Sequence, residues 1–366
     1  MIYQIRHFGK DSTNKPYFIV VKAQEQWYTM AIDRSQEVFA VCTAITYRTK
    51  DHYFGRNLDL EYGYQESVTV TPRNYPFRFR KVHALEHHYA MIGMATVVDG
   101  YPLYYEATNE MGLSMAGLNF PRNARYLPEK EGMDNVAPFE AIPWILGQCA
   151  SIEEAAQKLD TMRLADIPFS AELPLSPLHW IISDRYRSIV VEPMAEGIKV
   201  YDDPIGILTN EPPFDFHLYH LSNFMNVSID QATDRFSKRF PMKPYSNGMG
   251  AIGLPGDFSS ASRFVRAAFV KLNAVSGDTE EESVCQFFHI LSSVAMPRGC
   301  VRMRPDEYEI TRYSCCCNTD RGIYYHTTYE NSQITAVDMH LEDLDSTTPI
   351  TYPLVDQPKF RMLNQE

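Results

Sequence analysis

Residues 39–64 read "FAVCTAITYRTKDHYFGRNLDLEYGY", in which Cys42 is followed by Arg56 and Asp59 inside "GRNLD". A cation beside a thiol lowers its pKa toward the nucleophilic thiolate, so the three residues read as a nucleophile with its charge partners, carried in a turn-like "FGRNLDL". By themselves they fit two plainer descriptions equally well. Free cysteines are among the most buried residue types, and an arginine with an aspartate is a common surface ion pair. The decision therefore rests on what surrounds the stretch.

The chain has 366 residues, 45% of them hydrophobic and 22% charged, which is ample for one large domain or two. Its 23 tyrosines and 20 phenylalanines, set in short alternating runs, favour substantial sheet. A net charge of −12 argues against a nucleic-acid partner, which selects a basic surface, and leaves a small anionic molecule open if arginines are placed locally. No run approaches the eighteen or so apolar residues of a membrane helix, and "YFIVV" at 17–21 is too short for the apolar middle of a signal peptide. The seven cysteines are odd in number and lack CxxC spacing, as expected of free thiols in a reducing, cytoplasmic setting.

From residue 42 to about 125 the sequence reads as strands and turns, with Val68 and Val70 alternating with threonines and with Asp-Gly and Asn-Glu-Met-Gly turn signals. "APFEAIPWILGQCASIEEAAQKLDTM" then predicts two helices broken near Cys149 and Ser151, with Ser151 and Glu154 at capping-box spacing. Three β-rich runs follow in residues 178–210, helical spacing in "SSASRFVRAAFVKLNAV" and "ESVCQFFHILSSVAM", and strands again toward the end. Strands and helices in separate blocks imply separate layers, an α+β domain and not a doubly wound parallel sheet.

The opening block, with "TPRNYPF", "NEMGLSMAGLNFP" (109–121), "PLHWIISD" (177–184), "IGILTNEPPFD" (205–215), "GLPGDFSSASRFVR" (253–266), "FFHILSSVAMPRG" (287–299) and "GIYYHTTYENSQITAVDM" (322–339), resembles the choloylglycine hydrolase family in family order. That family contains the bile salt hydrolases and penicillin V acylases, and the resemblance runs from Cys42 to about residue 345. It implies a four-layer αββα sandwich of the N-terminal-nucleophile hydrolase type. It also implies Cys42 as nucleophile, Arg56 and Asp59 beside it, Asn119 and Asn210 on the oxyanion side, and Arg263 as the second arginine, with no cofactor and no metal. Positioned amide donors suit the tetrahedral oxyanion of amide hydrolysis.

In such enzymes the base is the cysteine's own α-amine, whose pKa of about 7.7 to 8.0 lets it accept a proton at neutral pH. A nitrogen inside the Val41–Cys42 peptide bond cannot do this. Residues 1–41 are therefore expected to be a propeptide or an untranslated upstream extension, with residues 42–366 forming a single catalytic domain. The second is preferred: the resemblance implies a start at Met-Cys-Thr, Val41 stands in the methionine's place, GUG is a bacterial start codon, and the codons of Gln36–Val38 can contain AGGAGGU. "YFIVV" and "QWYTMAI" in this stretch could form strands, and a retained extension would leave a pseudoenzyme.

Positions that line the family's steroid site fall on Leu58, Val98, Tyr105, Phe169 and Leu173, an apolar set suited to a rigid acyl group, though each also fits a core position. The opening block and "AGLNFP" look closer to gut-bacterial bile salt hydrolases than to penicillin acylases, so the expected reaction is release of glycine or taurine from conjugated bile salts. The resemblance also implies a homotetramer. The alternatives are a penicillin V or N-acyl homoserine lactone acylase, a bile-acid-binding module with Cys42 blocked, and a metal or redox site. That last site would use "SCCCN" at 314–318 or His83, His87, His88, His217 and His220. Adjacent strand cysteines point to opposite faces, and these histidines lack zinc spacing with a cysteine pair.

Overall fold

The computed structural model describes residues 41–364 in full and, before them, the backbone of three strands. The chain divides into a unit Met1–Phe39 and a unit Ala40–Glu366. In the first, Ile5–Phe8, Tyr17–Ala23 and Gln26–Ile32 form an antiparallel sheet with Tyr17–Ala23 at its centre, so the two runs expected as strands are strands. "QEVFA" at 36–40 lies outside the described residues.

The second unit is built on two antiparallel sheets. The six-stranded sheet has the order Ile207–Leu208, Val41–Arg48, His52–Leu60, Ile310–Asn318, Ile323–Thr328, Thr335–Asp338. The eight-stranded sheet runs Gly197–Asp202, Ser188–Met194, Leu178–Ser183, Ser114–Asn119, Tyr101–Asn109, Met91–Val98, Ser67–Thr71, Ile350–Pro353. Period-two alternation divides the side chains between layers. Val68, Val70, Ile92, Met94, Ala116, Leu118, Ile181 and Val190 join the core shared with the six-stranded sheet, whereas Met91, Ala95, Met115, Ile182 and Val191 pack with Trp144, Ile145, Leu146 and Leu159 of the helices.

Helices Ala141–Leu146 and Ile152–Thr161 thus cover the eight-stranded sheet, and Ser260–Asn273 and Glu280–Ser292 bring Phe264, Ala267, Val284, Phe287 and Leu291 into the core of the six-stranded one. The result is the four-layer αββα sandwich. The break between the first two helices falls where expected, but the capping box is half formed. Ser151 accepts from the Glu154 amide at 3.3 Å, while the Glu154 carboxylate accepts from Ala150 and not from Ser151. The helix Phe214–His220, entered through Pro213, carries no such signal and was not expected from sequence.

"GRNLD" is not a turn. It lies within the strand His52–Leu60, buried along its whole length because both faces are covered. Gly55 shows how closely: a Cβ there would lie 2.0 Å from the Cys315 carbonyl oxygen, so only glycine lets the two central strands approach.

Candidate active site

The hairpin of Val41–Arg48 and His52–Leu60 pairs Val41 with Asp59, Cys42 with Leu58 and Ala44 with Arg56. Directly opposed residues share a face, so Cys42, Leu58 and Arg56 look one way and Asp59 the other. Arg56 donates from Nη1 to the carbonyls of Gly117, at 2.6 Å, and Tyr105, at 3.3 Å, both on the eight-stranded sheet. The next residue, Asn57, donates to the Leu291 carbonyl in the helix layer. Fourteen positions of sequence separation between Cys42 and Arg56 thereby become neighbouring places on one sheet face.

The Cys42 thiol is buried. Burial pushes it above the ordinary thiol range, and the Arg56 charge opposes that rise. Burial would lower Arg56, but Cys42, Tyr313, Glu106 and Cys315 around it outweigh burial and raise it. Glu106, also fully buried, is the ion-pair partner of Arg56 at 3.8 Å and accepts from Tyr313 at 2.8 Å and Tyr324 at 2.6 Å. Burial raises its pKa against those donors and Arg56.

On the opposite face Asp59 accepts from the Thr311 hydroxyl at 2.5 Å, and its other oxygen, Oδ2, is buried without a partner. Burial raises this carboxyl to about 6, opposed by Arg263, Thr311 and Arg56. Glu309 lies close by, accepting from the Val41 amide at 2.5 Å, and burial with the nearby Asp59 charge lifts it to about 9, so it is protonated at neutral pH. Arg263 spans the group: Nη1 donates to the Cys42 carbonyl at 2.6 Å and to the Thr43 hydroxyl at 2.5 Å, and Nη2 donates to Asn210 Oδ1 at 2.7 Å.

Asn210 Oδ1 also accepts from the Cys42 nitrogen at 2.8 Å, and its amide donates to the Asn119 carbonyl at 2.8 Å. The strand ending at Asn119 and the one ending at Leu208 are thereby joined beside the cysteine. Two buried histidines hold this corner: His217 donates from Nε2 to the Asn210 carbonyl at 3.0 Å, and His179 reaches the Thr209 carbonyl at 2.9 Å and Glu192 at 3.2 Å. All six residues expected at the site are therefore collected around one nitrogen and one thiol. Glu106, Glu309 and Thr311 were missed, since each lies in a different strand or loop with no local signature.

Of the five expected lining residues, Leu58 sits opposite Cys42, and Tyr105 approaches through its carbonyl, its hydroxyl engaging Thr96 at 3.0 Å. Tyr105 is displaced from the strand ladder at a bulge between the pairs Ala95–Tyr104 and Met94–Glu106. Val98 ends its strand, opposite Tyr101. Phe169 packs with Tyr101, Phe139 and the Arg80 guanidinium, and Leu173 closes a short turn with Ser170. Among the described residues no three His, Cys, Asp or Glu side chains are grouped so as to hold a metal ion, and no helix is long and apolar enough to cross a membrane.

Comparison with known proteins places this geometry in a family. Residues 42–352 match the model of the linear amide C–N hydrolases, choloylglycine hydrolase family. The chain is 50% identical over 324 residues to a bile salt hydrolase/transferase of Lactiplantibacillus plantarum, covering 88% of this chain and all of that one. It is 39% identical to a bile salt hydrolase/transferase of Clostridium perfringens, over 85% of this chain and 96% of the relative. The crystal structure of a mutant conjugated bile acid hydrolase from C. perfringens, with alanine for the cysteine at its second position, superposes with a TM-score of 0.82 at 38% identity, over 88% of this chain and all of that one. A penicillin V acylase from Agrobacterium tumefaciens shares the fold, with a TM-score of 0.66 at 20% identity over 84% of this chain and 89% of that one. With Cys42 as the first matched residue and the match running through both sheets, the chain belongs to the choloylglycine hydrolase family of linear amide C–N hydrolases.

Proposed function

We propose that this chain hydrolyses the amide bond of glycine- and taurine-conjugated bile salts, with Cys42 as nucleophile once its α-amine is free. The observation that carries the substrate class is the 50% identity, over the whole length of the relative, to a bile salt hydrolase/transferase. For the chemistry, the support is that a thiol, a guanidinium, two asparagines and a carboxylate converge on the Cys42 nitrogen and sulfur.

In this reading the Cys42 sulfur attacks the substrate carbonyl while the α-amine takes the thiol proton, and the tetrahedral oxyanion is held on the side of Asn119 and Asn210. The amine passes its proton to the leaving nitrogen, glycine or taurine departs, and water attacks the thioester to release the bile acid. Asp59, with Oδ2 free of other partners, holds the amine, Arg263 and Asn210 fix the residue's carbonyl and nitrogen, and Arg56 favours the thiolate. Leu58, Val98, Tyr105, Phe169 and Leu173 line the approach of the steroid. Since two relatives are named hydrolase/transferase, a second outcome for the thioester is capture by another amine in place of water.

Residues 1–41 are absent from the active enzyme in this reading, either removed or never made. The family match beginning at Cys42 supports it. The enzyme works in the cytoplasm as a homotetramer. Support for self-association comes from residues 219–245, where Tyr219, Met225, Phe236 and Tyr245 are each more than four-fifths exposed.

The test is protein beginning at Cys42, incubated with glycocholate and taurocholate and assayed for released amine. Release from the wild type, abolished in a folded Cys42→Ser variant, is the expected result. A folded Cys42-initiated protein that binds bile salts without releasing amine is instead a binding module, and one that cleaves only phenoxymethylpenicillin is a penicillin acylase. The intact mass of protein made from the native gene fixes where the mature chain begins.

A further inference from the structure

The geometry points to Glu106 as the positioning residue that aims Arg56 at the Cys42 thiol. Arg56 spends Nε on the Asn57 carbonyl, 3.4 Å away, and on Glu106 Oε2 at 3.8 Å, and it spends Nη1 on Gly117 and Tyr105. Nη2 is buried and has no partner. Two of the three guanidinium nitrogens are thus engaged, while the third is left for a group that arrives or ionises. The thiolate of Cys42 is such a group.

Carbonyl oxygens can orient a guanidinium but cannot balance its charge, and Glu106 is the carboxylate in contact with it. Glu106 is itself held rigidly. Tyr324 and the Cys315 thiol donate to Oε1, at 2.6 and 3.5 Å, and Tyr313 donates to Oε2 at 2.8 Å. A buried ion pair of this kind is costly compared with apolar packing, so stability alone is a poor reason for it, whereas orienting a charge is a good one. The bulge that displaces Tyr105 is what brings Glu106 and the Tyr105 carbonyl onto Arg56 together. The other titratable groups near Cys42 are Asp59 from the paired strand, Glu309 from just before the strand Ile310–Asn318, and Arg263 from its helix. None of them is a hydrogen-bond or ion-pair partner of Arg56.

This inference rests on Cys42 as nucleophile, and the experiment separates the two. Glu106→Gln, Tyr324→Phe and Cys42→Ala are made in protein produced from its native gene. For each, kcat and KM on glycocholate are measured together with the pH dependence of iodoacetamide labelling, followed on the Cys42 peptide by mass spectrometry because other cysteines also react. Glu106→Gln is expected to lower kcat about 10- to 100-fold with KM changed less than about threefold, as for a displaced reacting group, and to move Cys42 labelling to higher pH. Tyr324→Phe is expected to act in the same direction, more weakly. A folded Glu106→Gln protein with unchanged kcat and labelling overturns the inference, as does a lower kcat with the labelling profile unmoved or moved to lower pH, the result of losing a negative charge without displacing Arg56. Should Glu106→Gln fail to fold, unchanged kcat and labelling in Tyr324→Phe overturn it. An active Cys42→Ala protein overturns the nucleophile reading itself, an outcome distinct from any of these.

Discussion

Asp59→Asn should stabilise the unprocessed chain at neutral pH, and in protein that begins at Cys42 it should remove activity. The carboxyl is fully buried, with one hydrogen bond from Thr311 and an unpartnered second oxygen, and its pKa is raised from 3.8 to about 6. Because the folded-state pKa lies above the unfolded one, the folded protein holds the proton more tightly. The stability this gives is full below about pH 4 and is lost as pH rises through about 6. The difference corresponds to ~3 kcal/mol of ionisation cost at pH 7. Asparagine keeps the shape, can still accept from Thr311 and carries no charge, so the variant should gain ~2–3 kcal/mol at pH 7 and almost nothing at pH 4. The assay is urea unfolding at both pH values in full-length protein carrying Cys42→Ala, so that the 41–42 bond stays intact and the Cys42 nitrogen remains an amide. An Asn variant less stable than its parent at pH 7, or a gain equal at pH 4 and 7, refutes the reasoning. In protein that begins at Cys42 the new amine adds a cation near Asp59 and lowers its pKa, so there the gain should shrink.

Two further substitutions probe the frame of the site. Arg263→Leu leaves the Cys42 carbonyl, the Thr43 hydroxyl and Asn210 Oδ1 without their buried donor, and should cost ~3–5 kcal/mol in urea unfolding with loss of amine release. Gly55→Ala places a methyl 2.0 Å from the Cys315 carbonyl oxygen in the middle of the six-stranded sheet. It should cost roughly 3 kcal/mol and lower activity through Arg56, measured by the same unfolding assay and by turnover of glycocholate.

Much of the layer architecture was legible because its signals are local. Alternation at Val68 and Val70, the cap at Ser151 and helical spacing after Ser259 each act within a few residues, and each element stands where those signals put it. "GRNLD" was misread as a turn because glycine, asparagine and aspartate favour turns in isolation. In a strand covered on both faces, packing against Cys315 overrides that preference. The helix at Phe214–His220 is likewise a tertiary outcome, fastened by Glu192 accepting from the Phe214 amide.

Sequence alone determined the family, and it singled out Cys42, Arg56, Asp59, Asn119, Asn210 and Arg263 as one group, since motif order is a property of the chain itself. Only the tertiary structure decided what surrounds them. Thr311 reaches Asp59 across 252 positions, Glu309 reaches Val41 across 268, and Tyr324 reaches Glu106 across 218. Strand order, register and bulges at Tyr105 and beside Thr311 set those contacts, and none of these is encoded within a local window. A one-residue slip of the same strands would turn Asp59, Glu106, Thr311 and Tyr324 to the opposite face.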